Sequence, residues 1–208
     1  MSMIEEKVLC TEYKMTTDKK KINIPNLLTI GRIWAIPLIV ATFFFNGPVS
    51  AWIGVILFAL AGITDYMDGY LARHLNQLSA FGRVLDPIAD KLLVGAILLM
   101  LAYTGRLEVF AIIPAVIIMC REILVSGLRE FLAEIKVGLP VTKLAKWKTT
   151  FQMIAIPVLM VSKPGEAPAF LHLDWVGAIA LWFAAIMTVI TGYDYWKSGS
   201  KYLKDEGK

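Results

Sequence analysis

Four aspartates in one short stretch are the residues of this chain best suited to chemistry. Asp65 and Asp68 lie three apart in Asp65-Tyr66-Met67-Asp68-Gly69-Tyr70-Leu71-Ala72-Arg73. Asp86 and Asp90 lie four apart in Gly82-Arg83-Val84-Leu85-Asp86-Pro87-Ile88-Ala89-Asp90. Helical residues three or four apart share a face, so each pair presents its carboxylates together. The link between the pairs folds one helix end against the next and directs all four acids towards one point. Acids gathered beside hydrocarbon are costly unless positive charge neutralises them. Arg73 and Lys91 are two cations against four anions. Hard divalent cations make up the difference, and oxygen-only ligands suit magnesium or manganese rather than zinc. The alternative is a set of solvated helix-end acids, with Asp86 capping the third helix. One aspartate would favour that alternative; four at helical spacing favour the metal. Gly69, Ala72 and Gly82 are interleaved with the acids. Small side chains allow close approach of a ligand or of another helix, so they form either the floor of a nucleotide site or a packing surface.

The elements that must hold these residues are long and apolar. The chain has 208 residues, 57% of them hydrophobic, with a mean hydropathy of +0.63. That exceeds the apolar share of soluble domains, and the length leaves room for one domain. Six apolar segments run approximately over residues 27–46, 51–71, 84–104, 109–132, 147–162 and 175–196. Each is near the ~20 residues that cross ~30 Å of hydrocarbon. The expected fold class is therefore an all-α membrane protein with six transmembrane helices. Asn46-Gly47-Pro48, Gly105, Gly138 with Pro140, and Pro164-Gly165 punctuate the links. Residues 1–21 are expected as an N-terminal tail, 22–197 as a six-helix membrane catalytic domain and 198–208 as a C-terminal tail. No internal repeat is visible, and no cleavable signal. Cys10 and Cys120 form neither a disulfide framework nor a metal knuckle.

Net charge is +4, and its distribution follows a membrane topology rather than a nucleic-acid footprint. Arg73 and Arg83, then Arg129, Lys136, Lys143, Lys146 and Lys148, then Lys197, Lys201, Lys204 and Lys208 fall on one side. Arg106 and Lys163 fall on the other, near Glu108 and Glu166. The positive-inside rule then puts both termini and the aspartates at the cytoplasmic face of the inner membrane, in a multi-pass chain. Lys19-Lys20-Lys21-Ile22-Asn23-Ile24-Pro25 forms either an interfacial anchor or a solvated tail. Arg32 and Arg121 stand inside apolar runs. A buried guanidinium there pairs with an acid such as Glu122 or takes a phosphate. Arg129, Lys146 and Lys148 supply either further phosphate contacts or only inside-positive charge.

Asp65-x-x-Asp68-Gly69-x-x-Ala72-Arg73, eight residues, then Gly82-x-x-x-Asp86-x-x-x-Asp90 resembles the signature of the CDP-alcohol phosphotransferase family at every fixed position. Asn23-Ile24-Pro25-Asn26-Leu27-Leu28-Thr29 with Arg32, Arg121-Glu122-Ile123, Gly127-Leu128-Arg129-Glu130, and Lys146-Trp147-Lys148-Thr149-Thr150 with Gln152-Met153 resemble the branch whose acceptor is sn-glycerol 3-phosphate. The resemblance implies six transmembrane helices, a homodimer and a two-metal site for magnesium or manganese facing the cytoplasm. It also implies transfer of phosphatidyl from CDP-diacylglycerol to the acceptor, with release of CMP. On the same basis Asp65, Asp68, Asp86 and Asp90 are metal ligands, and Asp90 is also the general base. Asn26, Thr29, Gly69, Ala72, Arg73, Ser79 and Gly82 surround the CDP-diacylglycerol. Arg32, Arg121, Arg129, Lys146 and Lys148 take the acceptor phosphate. Other acceptors of the family are inositol phosphate, serine and phosphatidylglycerol. A divalent-cation transporter would carry its acids nearer the bilayer midplane, on broken, repeated helices. An aspartate-rich prenyltransferase would lack the Gly-x-x-Ala-Arg interval.

Overall fold

The structure, a computed structural model, describes residues 24–74, 80–135 and 143–205. Over these residues the chain forms six α-helices: α1 (Ile24–Thr42), α2 (Pro48–His74), α3 (Ala80–Tyr103), α4 (Val109–Glu134), α5 (Lys143–Met160) and α6 (Leu173–Asp205). One turn of 3-10 helix, Ala169–Leu171, precedes α6. The expected order of segments is reproduced, and every helix but the first is longer than the apolar run that marks it. Proline stands at the second residue of α1 and the first of α2, where a missing N–H costs nothing. The last helix continues beyond Trp196 to Asp205, across the boundary expected for a C-terminal tail. Residues 1–21, with the lysine cluster at 19–21, and Ser79 lie outside the described residues.

Three helices contain stretches long and apolar enough to cross a membrane: Pro48–Asp65, Val109–Ala133 and Leu173–Lys197. Leu27–Thr42 in α1 is a shorter apolar helix. In water, a bundle hides its apolar side chains and shows its polar ones. Here Trp34 and Leu99 are each 70% exposed, whereas Arg32, Thr188 and Thr191 are almost fully buried. That distribution suits hydrocarbon as the surrounding solvent, because lipid leaves polar groups to find partners inside the protein.

The core draws on all six helices. Ile39 of α1, Phe58 of α2, Ile97 of α3, Ile118 of α4, Ile156 of α5 and Leu181 of α6 meet in one buried cluster. α1 packs on α2 and α3, α6 packs on α4 and α5, and α5 also meets α2 and α3. A smaller cluster of Val125, Leu128, Leu132 and Tyr195 joins α4 to α6 nearer one end.

The opposite end is held by a buried ion pair. α3 terminates at Gly105, whose φ of +67° belongs to the left-handed region that glycine adopts without penalty. The Gly105 N–H donates to the Ala102 carbonyl at 3.2 Å and the Arg106 N–H to that of Leu101 at 2.9 Å. That pair of bonds closes the helix in a Schellman turn and delivers Arg106 to the interior. Its guanidinium grips Glu166 through both carboxylate oxygens, with Nη2 to Oε1 at 2.7 Å. Nη1 also donates to the Met160 carbonyl at 2.7 Å, and the Phe43 ring lies 5.9 Å from the guanidinium carbon. Trp52 Nε1 donates to the Glu166 carbonyl at 3.0 Å. Arg106 thus pairs with Glu166, sixty residues away, and not with its sequence neighbour Glu108.

Both partners are less than one-tenth exposed, and removing one member of such a pair leaves an uncompensated charge. Glu166→Ala should therefore lower unfolding stability in detergent by about 3 kcal/mol. A thermal midpoint matching the unaltered protein would remove the pair from any account of what holds this end.

Candidate active site

Charged groups gather at the other end in two adjoining places. The first is an acid corner built by α1, α2 and α3. Arg32, on the inward face of α1, is 1% exposed at its side chain, and its Nη1 lies 2.6 Å from Asp65 Oδ1. One turn earlier, the Thr29 hydroxyl donates to Asp86 Oδ1 at 2.5 Å. The first helix therefore carries a cation for the acid of α2 and a donor for the first acid of α3. Three residues separate Thr29 from Arg32, so one helical face serves both.

The second place is an open cleft of about 1070 Å³ between α3, α4, α5 and the end of α6. Its lining includes Asp90 and Lys91 from α3, Arg121, Glu122, Ser126, Arg129 and Glu130 from α4, Lys148, Thr149 and Thr150 from α5, and Tyr195 from α6. Glu122 is its internal counter-ion. One oxygen, Oε1, accepts from Arg121 Nη1 at 3.2 Å and from Lys148 Nζ. Arg121 also donates through Nη2 to the Thr191 hydroxyl at 2.6 Å, and its guanidinium carbon lies 5.8 Å from the Tyr195 ring centre. Lys91 donates to the Pro87 carbonyl one turn back, at 2.8 Å.

Asp90 belongs to both places. It lines the cleft, and its electrostatic neighbours are Asp65 and Arg32 on one side and Glu122 and Lys148 on the other. Asp86 and Asp90 lie one helical turn apart on α3, so the helix leads from the acid corner into the basic cleft.

The structure thus pairs Asp65 with Arg32 and Asp86 with Thr29, and sets Asp90 in the cleft lining with Arg121, Arg129 and Lys148. Arg32 stands with the acids and is absent from the lining of the basic cleft. The side chains of Asn26, Asp68, Arg73 and Lys146, and the surroundings of Gly69, Ala72 and Gly82, lie outside the described residues. Among the described residues, no three His, Cys, Asp or Glu side chains stand close enough to hold one metal ion. Glu122 emerges as the partner of two cations at once, a role that its position beside Arg121 only half discloses. Thr191 and Tyr195 of α6 were not marked by any sequence motif; a threonine within an apolar run was the one signal available.

The sequence matches the pattern of the CDP-alcohol phosphatidyltransferase family over residues 22–190. It is 51% identical over 181 residues to a protein of Rickettsia bellii named CDP-diacylglycerol–glycerol-3-phosphate 3-phosphatidyltransferase, covering 87% of this chain and 97% of the relative. A protein of Cereibacter sphaeroides with the same name is 40% identical over 218 residues, covering 88% of this chain and 98% of its own. A rice protein named cardiolipin synthase (CMP-forming) is 37% identical over 182 residues, covering 82% of this chain and 55% of that one.

Proposed function

The chain belongs to the CDP-alcohol phosphatidyltransferase family, and from that premise we propose that it transfers phosphatidyl from CDP-diacylglycerol to sn-glycerol 3-phosphate. The products are phosphatidylglycerophosphate and CMP. The observation that carries this reading is the position of Asp90, which lines a cleft with Arg121, Arg129 and Lys148 and has Asp65 and Arg32 among its charged neighbours. A donor diphosphate at the corner and an acceptor phosphate in the cleft place the attacking hydroxyl beside that carboxylate. The relatives named for glycerol 3-phosphate cover nearly their whole length with this chain, which favours that acceptor.

The donor chemistry of the corner fits magnesium or manganese: Asp65, Asp86 and Asp90 offer carboxylate oxygens, and Asp68 is proposed as the fourth ligand. A bound divalent pair would supply positive charge to the diphosphate and to the departing CMP. The protein's own residues do the rest. Thr29 fixes the Asp86 carboxylate. Asp90 accepts the proton of the acceptor hydroxyl as its oxygen bonds to the phosphatidyl phosphorus and the bond from that phosphorus to CMP breaks. Asn26, Gly69, Ala72, Arg73, Ser79 and Gly82 border the nucleotide end in this reading. Arg121, Arg129, Lys146 and Lys148 hold the acceptor phosphate. A carboxylate is a weak base for an alcohol, so alignment supplies much of the rate. Six membrane spans, a homodimer, and an inner-membrane location with both termini and the cleft facing the cytoplasm complete the proposal. Lysine and arginine bias supports the orientation.

The test is purified protein with CDP-diacylglycerol and a panel of acceptors, namely glycerol 3-phosphate, inositol phosphate, serine and phosphatidylglycerol, with product identification. Glycerol 3-phosphate should be the preferred acceptor, and turnover should vanish on stripping divalent cations and return with magnesium or manganese. Preference for phosphatidylglycerol, or full turnover without a divalent cation, defeats the acceptor or the metal assignment respectively.

Asp90→Asn keeps size and removes proton acceptance. CDP-diacylglycerol binding should survive while turnover falls at least about a hundredfold, the lower range for a general base. Near-normal turnover would return Asp90 to a structural role.

Arg121→Ala should weaken acceptor binding by about 1.5–3 kcal/mol, the range for a hydrogen bond to a charged group, with CDP-diacylglycerol affinity almost unchanged. An unaltered Michaelis constant for glycerol 3-phosphate would exclude Arg121 as its anchor.

A further inference from the structure

We infer that Thr191, with Gly192 and Tyr195 beside it, forms a cradle on α6 that positions Arg121 for the acceptor phosphate. The inference rests on the proposed role of Arg121 as acceptor anchor. It gives α6, whose Tyr195 lines the cleft, a part in orienting the anchor through residues beyond position 190, where the match to the family pattern ends.

Four contacts carry it. Thr191 is fully buried, and its hydroxyl has one proton and two lone pairs. The proton goes to the Met187 carbonyl at 2.8 Å, one turn back on the same helix. That fixes the hydroxyl rotor and aims a lone pair outward, and Arg121 Nη2 donates to it at 2.6 Å. At the next residue, Gly192, an added Cβ would stand 3.1 Å from Arg121 Cγ and 3.3 Å from Nε. The arginine stem thus lies against the helix backbone where any side chain would push it away. Tyr195, one turn from Thr191, offers its ring to the guanidinium. Glu122 takes Nη1 from the other side.

A guanidinium has five donors in a rigid plane. Fixing Nη2 on Thr191 and Nη1 on Glu122 sets the plane's tilt, while Tyr195 sits within cation–π range of it. Nε is buried without a hydrogen-bond partner. The cradle sacrifices one donor's bond and keeps the group at the cleft wall, in a fixed orientation. An arginine free to swing would lose that alignment, and its affinity for a phosphate would fall without any change in charge.

The experiment uses the full chain in detergent–lipid micelles and separates the Michaelis constants of the two substrates. Thr191→Val has nearly the same shape and no hydroxyl; Thr191→Ser keeps the hydroxyl. Thr191→Val should raise the constant for glycerol 3-phosphate about tenfold, near the effect of one hydrogen bond, and leave that for CDP-diacylglycerol unchanged. Thr191→Ser should return it to within about twofold, because the hydroxyl is what the guanidinium uses. Gly192→Ala should move the same constant in the same direction. Combined with Arg121→Ala, Thr191→Val should add almost nothing, since both changes remove one coupled unit. An unchanged acceptor constant in Thr191→Val, an equal rise for both substrates, or a full additional loss on the Arg121→Ala background overturns the cradle. If Arg121→Ala alone leaves the acceptor constant untouched, the anchor reading fails first, and the two failures are told apart by that variant.

Discussion

Buried charge has to find its partner inside this bundle, and most of the arrangement follows from that requirement. Apolar side chains cover the outside, where hydrocarbon offers no hydrogen bonds to a guanidinium, an ammonium or a carboxylate. Arg32 meets Asp65, Arg106 meets Glu166, and Arg121 and Lys148 share Glu122. Each of these pairs joins different helices or links, except that Arg121 also meets its own neighbour. Hydrophobic packing alone would let such helices slide, since lipid is as apolar as their own side chains. Ionic and hydrogen-bonded contacts at the two ends fix where along its length each helix meets the next.

The same requirement prepares the proposed chemistry. A site that must hold anionic substrates beside hydrocarbon needs cations already buried and already oriented, so that little reorganisation accompanies binding. Glu122 makes two such cations tolerable in the cleft. At the acid corner, Arg32 and Thr29 do the reverse by giving Asp65 a paired cation and Asp86 a hydroxyl donor. Asp90 has an acid and a cation from each region among its charged neighbours, Asp65 with Arg32 and Glu122 with Lys148. Its placement is a consequence of α3 passing from one region to the other, one turn beyond Asp86.

Helix order was legible because apolar length and polar punctuation are local properties of the chain. Ends were less so. α6 outruns its apolar segment because nothing after Trp196 breaks a helix; Gly199 stays helical and packs on Leu128 of α4. The stretches in α2, α4 and α6 pass as spans by length and composition. α3 and α5 carry Asp86, Asp90, Lys91, Lys146 and Lys148, so the residues proposed for chemistry dilute the signal that would mark those helices. Aspartate spacing is legible for the same local reason, because residues three or four apart share a helical face. Partner choice was not legible, since Arg106 had Glu108 nearby in sequence and took Glu166. Likewise, the sequence left Arg32 either an acid or a phosphate to meet, and three-dimensional packing sets it against Asp65, on the next helix. Thr191 lies seventy positions from Arg121 and shares no motif with it.

A division of labour between the halves of the chain accounts for how one family could serve several acceptors. α1, α2 and the start of α3 build the acid corner, and on the proposed reading that corner deals with the CDP-diacylglycerol common to the family. The cleft is built by α4, α5 and α6 against the face of α3 that carries Asp90. Changing acceptors then requires new side chains on α4 to α6 while the acids and their α1 supports stay. The rice relative named cardiolipin synthase aligns over 82% of this chain at 37% identity, which leaves ample room for such changes. A phosphomonoester dianion needs several cations, and each buried cation needs its own support. In this chain that support is Glu122 for Lys148, and Glu122 with Thr191 for Arg121. Acceptor choice would therefore depend on the supports as much as on the cations, because an arginine without its cradle keeps its charge and loses its aim.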